Sequence, residues 1–305
     1  MKDGARGFTL VELIVALGIT LLLATMSVLA VRGLLAVWQR AQGGGVGAIE
    51  AKLALDQLER DVQSAILRDD GAVWWDVRVV GNAELAPHGW EMAGARVKPV
   101  EASVRLLAEG EGSSIAEARF GRAGVWLRLV SSDYDSEAGA SQPVAVSYQL
   151  ARRAVGSGSG SPVGYALFRE KMSAEATFEQ VVGVGFGAAA PAALVGVEND
   201  DVLASHVVDF GVWVLARDAA GRRVRLFPAA NAVTASAQFP GAGEPAVVEI
   251  MIRVLTDEGA TRLQAFESGY VEMAANTRAD EGWWAIVEAH SRVYVRTVEL
   301  KARTW

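Results

Sequence analysis

No charged residue occurs between Leu13 and Val31, and the run begins soon after the basic residues Lys2 and Arg6. As a helix rising about 1.5 Å per residue, it would extend roughly 28 Å, close to the hydrocarbon thickness of a bilayer. Positive charge ahead of such a run holds the head in the cytoplasm and sends the rest of the chain across. A secretory signal peptide carries a shorter apolar region, about 7–15 residues, followed by a small-residue cleavage site. Here the apolar character continues past Arg32 into Gly33-Leu34-Leu35-Ala36-Val37-Trp38. The pattern predicts a single membrane-spanning helix over residues 8–40, with the C-terminal part extracytoplasmic.

Glu12 stands at the entrance to this run. An ionised carboxylate inside a membrane helix costs about 2.5–3.5 kcal/mol on insertion scales, so Glu12 either stays among the headgroups or has a cationic partner. The surrounding residues, Arg6-Gly7-Phe8-Thr9-Leu10-Val11-Glu12-Leu13, resemble the processing site of type IV prepilins and type II secretion pseudopilins. The resemblance implies a leader over 1–7, cleavage after Gly7 by a membrane aspartic peptidase (the prepilin peptidase), and N-methylation of Phe8. It also places Glu12 on the family's glutamate and implies an inner-membrane subunit that assembles through its N-terminal helix. The ammonium freed on Phe8 could then meet Glu12 of a neighbouring subunit, which would set axial register more than add net stability.

Gly43, Gly44, Gly45 and Gly47 follow the apolar run. Each costs about 1 kcal/mol of helix propensity, which predicts a hinge. Helical periodicity returns in Ala48, Ala51, Leu55, Leu58, Val62 and Ala65, so residues 41–70 read as a glycine hinge and an amphipathic helix. The stretch Leu55–Val62 is similar to the corresponding helix of J-type minor pseudopilins, which implies other minor pseudopilins as partners.

Beyond about residue 71 the apolar period becomes two. Residues 125–130, 144–150, 165–169, 207–215, 224–227, 247–255 and 293–300 read as strands. Asp218–Gly221 reads as a hairpin turn and Asp257-Glu258-Gly259 as another turn. A helix is expected through 278–289, capped by Asn276 or Thr277. No strand–helix alternation occurs, which argues against a doubly wound parallel sheet. The fold class is therefore α+β: a long N-terminal helix followed, over 71–305, by a mostly antiparallel β domain of pilin-like type.

The remaining chemistry is sparse. A net charge of -7 gives no basis for nucleic-acid binding, and the chain has no cysteine for a thiolate metal site or nucleophile. His88, His206 and His290 are far apart and read as surface or satisfied core residues, not ligands. Gly183-Val184-Gly185-Phe186-Gly187-Ala188 fits a loose dinucleotide pattern, but Pro191 stands where the following helix would be, so a loop is expected. The acidic stretches Asp133–Glu137 and Glu198–Asp201 could offer oxygen ligands to calcium but read first as solvated turns. Trp74-Trp75 and Trp283-Trp284 each read as a pair with one core member. No cofactor, metal site or catalytic residue is expected. The expected function is a minor pseudopilin or pilin subunit, with a type IV minor pilin or a membrane-anchored ligand-binding module, carried by the loops 156–162 and 183–196, as alternatives.

Overall fold

A computed structural model describes residues 10–67, 73–81, 104–107, 114–135, 139–155, 163–182, 185–186, 201–229, 236–239, 245–271 and 277–300; in 11–16, 29–46, 134–135 and 236 it describes the backbone only. The first element, α1, is a helix over Leu10–Gln63. It runs through Gly43–Gly47 without the expected break. Glycine lowers propensity, but in the interior of a long helix each residue adds a hydrogen bond with no new nucleation step. The boundary between the two compact units of the chain, Met1–Val46 and Gly47–Trp305, nevertheless falls in this glycine stretch.

In the first unit the side chains of Leu17, Ile19, Leu21, Leu22, Leu23, Met26 and Val28 are all exposed. Successive residues project about 100° apart, so Leu21–Leu23 alone sweep most of the circumference and leave no polar face. Thr25 and Ser27 return their hydroxyls to the carbonyls of Leu21 and Leu23, at 2.8 and 2.9 Å, so these groups need no water. Among the described residues, no helix is long and apolar enough to cross a membrane. Of the uncharged run, the structure describes the side chains of residues 17–28 only.

The second unit is built on two antiparallel sheets. Its strands are β1 (Trp75–Val79), β2 (Val125–Asp135), β3 (Ala140–Ala154), β4 (Val163–Lys171), β5 (Val202–Ser205), β6 (Val207–Arg217), β7 (Arg223–Phe227), β8 (Ser236–Gln238), β9 (Pro245–Leu255) and β10 (Ser291–Glu299). Among the described residues, α2 (Ala174–Gln180), α3 (Asp257–Glu267) and α4 (Ala279–His290) accompany them, with the end of α1. The six-stranded sheet has the order β5-β4-β3-β2-β1-β8, and the four-stranded sheet the order β10-β9-β6-β7. All seven strands expected from sequence are present. The chain passes from one sheet to the other at His206, which separates β5 from β6 with φ 61.

Strand β6 crosses β2, β3 and β4, and the main core lies between the two sheets. Alternation partitions the side chains of β2: Leu127 and Leu129 enter the main core, whereas Val130 enters a smaller cluster with Trp74, Ala145, Met172, Val181 and Phe186 on the opposite face. The segment around Arg105–Leu107 and Ile115–Phe120, which carried no motif, supplies Leu106, Leu107, Ile115 and Phe120 to the main core.

Several elements differ from the sequence expectation. Asp257-Glu258-Gly259 opens α3 and is not a turn: Thr256 caps it by accepting the Gly259 N–H at 3.1 Å, and two carboxylates sit in its first turn. Gly259 is required there, because a Cβ would lie 2.6 Å from that of His290. Helix α4 begins after Arg278, which makes no side-chain capping bond, and not after Asn276 or Thr277. Strand β2 continues to Asp135, so Asp133 is a paired strand residue opposite Gln142. Strands β1, β5 and β8 and helix α2 are short, and tertiary pairing specifies them more than any local pattern does.

Two features of β6 govern its packing. An added Cβ at Gly211 would overlap the ring of fully buried Phe120. Beside it Asp209 is wholly buried and accepts the Phe120 N–H on both oxygens, at 3.2 and 3.3 Å, with Arg253 Nε 3.9 Å away. Burial pushes this carboxyl up to about 7, although Arg253 and the Phe120 and Phe210 amides pull it down. We expect Gly211→Ala to lower stability by about 1–3 kcal/mol in urea unfolding, as overpacking does; an unchanged midpoint would contradict the packing. Asp209 favours folding in its neutral form. Its contribution is present below the unfolded value near 4 and is lost as pH rises through about 7. The stability of the native chain relative to Asp209→Asn should therefore decline between pH 4 and 7, and a constant difference would refute this.

Candidate functional site

The residues marked out by sequence are those at the start of α1. Gly7 and Phe8 lie outside the described residues; Glu12 lies on α1, with its side chain outside the description. The structure therefore brings no described group against Glu12. What it shows in detail is how the C-terminal part of α1, from Gly47 onward, is held in the second unit.

Ala51, Ala54, Leu55, Leu58 and Val62 are buried in the main core, as the helical periodicity predicts. Ile49 and Leu53, one turn apart, are 62% and 60% exposed, so this part of α1 also presents an apolar strip to the outside. Charged residues fasten its flanks. Arg296 of β10 bonds Asp56 at 2.6 Å and Glu59 at 2.8 Å, and Glu50 accepts the backbone N–H of Ser205 at 3.0 Å. Past the helix end the chain joins the sheet directly: Ile66 N–H donates to Val130 O at 2.8 Å, and Ser132 N–H to Ser64 O at 3.0 Å.

A repeated side-chain device on β3 and β4 anchors two helices. Both strands carry Tyr-x-x-x-Arg, as Tyr148…Arg152 and Tyr165…Arg169. Antiparallel register sets Tyr148 opposite Arg169, and Arg152 opposite Tyr165, on one face of the sheet. Each Tyr/Arg pair grips one carboxylate. Asp61 of α1 accepts from Tyr148 OH and from Arg169 Nε at 2.8 Å. Glu267 of α3 accepts from Tyr165 OH, from Arg152 Nε at 2.8 Å, and from Trp283 Nε1 of α4 at 3.1 Å. Burial pushes both phenols up, and the adjacent carboxylates add to it, so each phenol remains a donor. The signal for this device in the sequence is the Tyr-x-x-x-Arg spacing repeated on two adjacent strands.

The tryptophan pairs and the described part of the glycine-rich segment take structural roles. All four residues of the tryptophan pairs are buried, not one in each. Trp74 and Trp75 serve opposite faces of the six-stranded sheet, and Trp283 meets Trp284 edge-on at 5.0 Å. In the glycine-rich segment Gly185 has φ 67 and approaches Val73, and Phe186, bonded through its N–H to Val73 O at 2.7 Å, fills the smaller core. Asp133 pairs with Lys171 at 2.9 Å. No described group of three or more His, Asp or Glu residues could hold a metal ion. Glu137 and Glu198–Asp200 lie outside the described residues, as do His88 and the segment 156–162. The imidazole of His206 departs from expectation, since its Nδ1 is buried without a hydrogen-bond partner.

Residues 2–28 match the family model described as the prokaryotic N-terminal methylation motif. The chain thus carries a type IV prepilin-like processing signal, and the fold after it is α+β with antiparallel sheets. No curated protein and no solved structure matches the chain.

Breaking a buried ion pair by removing one partner typically costs about 3–5 kcal/mol. We expect Asp61→Ala to destabilise the second unit by about 3 kcal/mol, because Arg169 and Tyr148 lose their shared acceptor. Chemical unfolding would check this, and a loss below about 0.5 kcal/mol, the level of an ordinary surface substitution, would contradict the role given to the clamp.

Proposed function

We propose that this chain is a minor pilin-like subunit, a minor pseudopilin of a type II secretion system, which is cleaved after Gly7 and assembles through α1 without catalysing a reaction. The methylation motif over residues 2–28 carries the reading. It overlaps a helix whose described side chains from Leu17 to Val28 include no charge and whose leucines in that stretch are exposed on all sides. Such a rod is stable only under lipid or neighbouring helices, which is the demand on a subunit that moves from membrane to fibre. In this reading α1 first spans the inner membrane with the β domain outside, and Lys2 and Arg6 set that orientation. The freed amine of Phe8 then meets Glu12 of an adjacent subunit, and the Ile49–Leu53 strip continues the contact along the helix.

A J-like place among other minor pseudopilins rests on the similarity of Leu55–Val62 alone, and a minor pilin of a type IV pilus is the neighbouring possibility. Co-purification with sister subunits of one system or the other distinguishes the two. The general reading is tested at the N-terminus. Mass spectrometry of the protein from cells with an active prepilin peptidase should show a chain beginning at N-methylated Phe8. Glu12→Ala should reduce incorporation into the fibre at least about tenfold, as expected when a charge loses its only buried partner. A chain that retains Met1 in those cells, or full incorporation of Glu12→Ala, would refute the corresponding step.

A further inference from the structure

A cavity of about 380 Å³ opens between one face of α3 and the end of the β3–β4 hairpin, closed at its side by the β5–β6 crossing. This lies within the size range of small-molecule sites, roughly 300–1,000 Å³. Tyr165, Leu255 and Leu263 give it a buried, largely apolar floor. Its charged groups are unevenly committed. Arg152 and Glu267 are locked together in the second clamp, and Glu267 also receives Tyr165 and Trp283, so this pair offers no net charge to a ligand. Asp257 has no ion pair among the described residues and leaves one surplus negative charge on the rim.

The other polar side chains of the wall are uncharged. Ser205 Oγ and the Gln264 amide make no hydrogen bond among the described residues. His206 lines the cavity with Nδ1 buried and unpartnered. A buried N–H donor without an acceptor would cost its full desolvation, so we place the ring proton on the opposite nitrogen. That leaves Nε2–H as a donor at the less buried edge. Asp257 can only accept, His206 donates, and Gln264 and Ser205 do both. An anion would face Asp257 with no free cation among the described lining residues to receive it.

From this geometry we infer that the cavity is a binding site for a small, uncharged, hydroxyl-bearing molecule of monosaccharide size. Its C–H face would lie on Tyr165, Leu255 and Leu263. Its hydroxyls would donate to Asp257, exchange bonds with Gln264 and Ser205, and accept from His206 Nε2–H. The site requires none of the features used in membrane insertion or assembly.

The test uses the full-length chain in a zwitterionic detergent without a sugar headgroup. Saturation-transfer NMR is recorded with a panel of methyl hexosides, with glucuronate as the anionic control and cyclohexylammonium as the cationic one. At least one methyl hexoside should bind, and more tightly than either control. Gln264→Ala and Asp257→Ala, both at exposed helix positions, should each weaken it about five- to tenfold, the effect of one or two hydrogen bonds. His206→Asn, which tolerates the positive φ, should weaken it similarly while the thermal midpoint holds. No binding by any neutral hexoside, stronger binding of either charged control, or hexoside binding unaltered in all three variants would overturn the inference. None of these results bears on cleavage at Gly7 or on the role of Glu12.

Discussion

Asp61 and Glu267 reach the β3–β4 pair from two different helices, and each is received by a tyrosine and an arginine that antiparallel pairing has set side by side. Apolar contact alone would let a helix slide along a sheet, since the hydrophobic effect has no direction. A buried carboxylate with fixed donors does not slide, because a shift of one residue would strand both charges away from water. Within the second unit, the register of the Gly47–Gln63 part of α1 and that of α3 therefore depend on these two clamps. Leu150 and Leu167 lie between them on the same face and keep water from both.

With the helices fixed, the rest of the second unit follows from its two sheets. Strand β6 is buried from Val207 to Leu215, and at Gly211 it has no side chain, which admits Phe120 from the 114–120 segment. Asp209 then holds the backbone of that same segment. The β5–β6 crossing at His206 joins the sheets through two backbone bonds, to Tyr165 O at 2.8 Å and from Leu255 N–H at 2.9 Å. That crossing forms one wall of the cavity beside the Glu267 clamp, so the clamp that seats α3 also shapes the cavity under it.

The long strands were legible because their period-two patterns lie in a sheet with apolar material on the core side. The amphipathic stripe Ala51–Val62 was legible for the corresponding helical reason. The short strands β1 and β8 were not: Trp75–Val79 and Ser236–Gln238 are extended because β2 and each other lie alongside, not through propensity. Asp257-Glu258-Gly259 misled because acidic residues before a glycine suit a turn and a helix start equally, and only the Thr256 cap and the packing of Leu263 and Phe266 decide between them. The glycines at 43–47 misled in the opposite sense, since propensity is a local quantity and the helix on both sides outweighs it.

What the sequence alone determined is the N-terminal machinery. A processing motif and an uncharged run are linear features, and their chemistry depends on order and length, which folding does not alter. The clamps, the burial of all four paired tryptophans and the cavity were decided by tertiary structure. Asp61 is 87 residues from Tyr148 and Arg152 is 115 from Glu267, and nothing local to any of them says which carboxylate it will meet. Burial gives such encounters their strength, and burial is a property of the assembled sheets and helices that no single segment possesses.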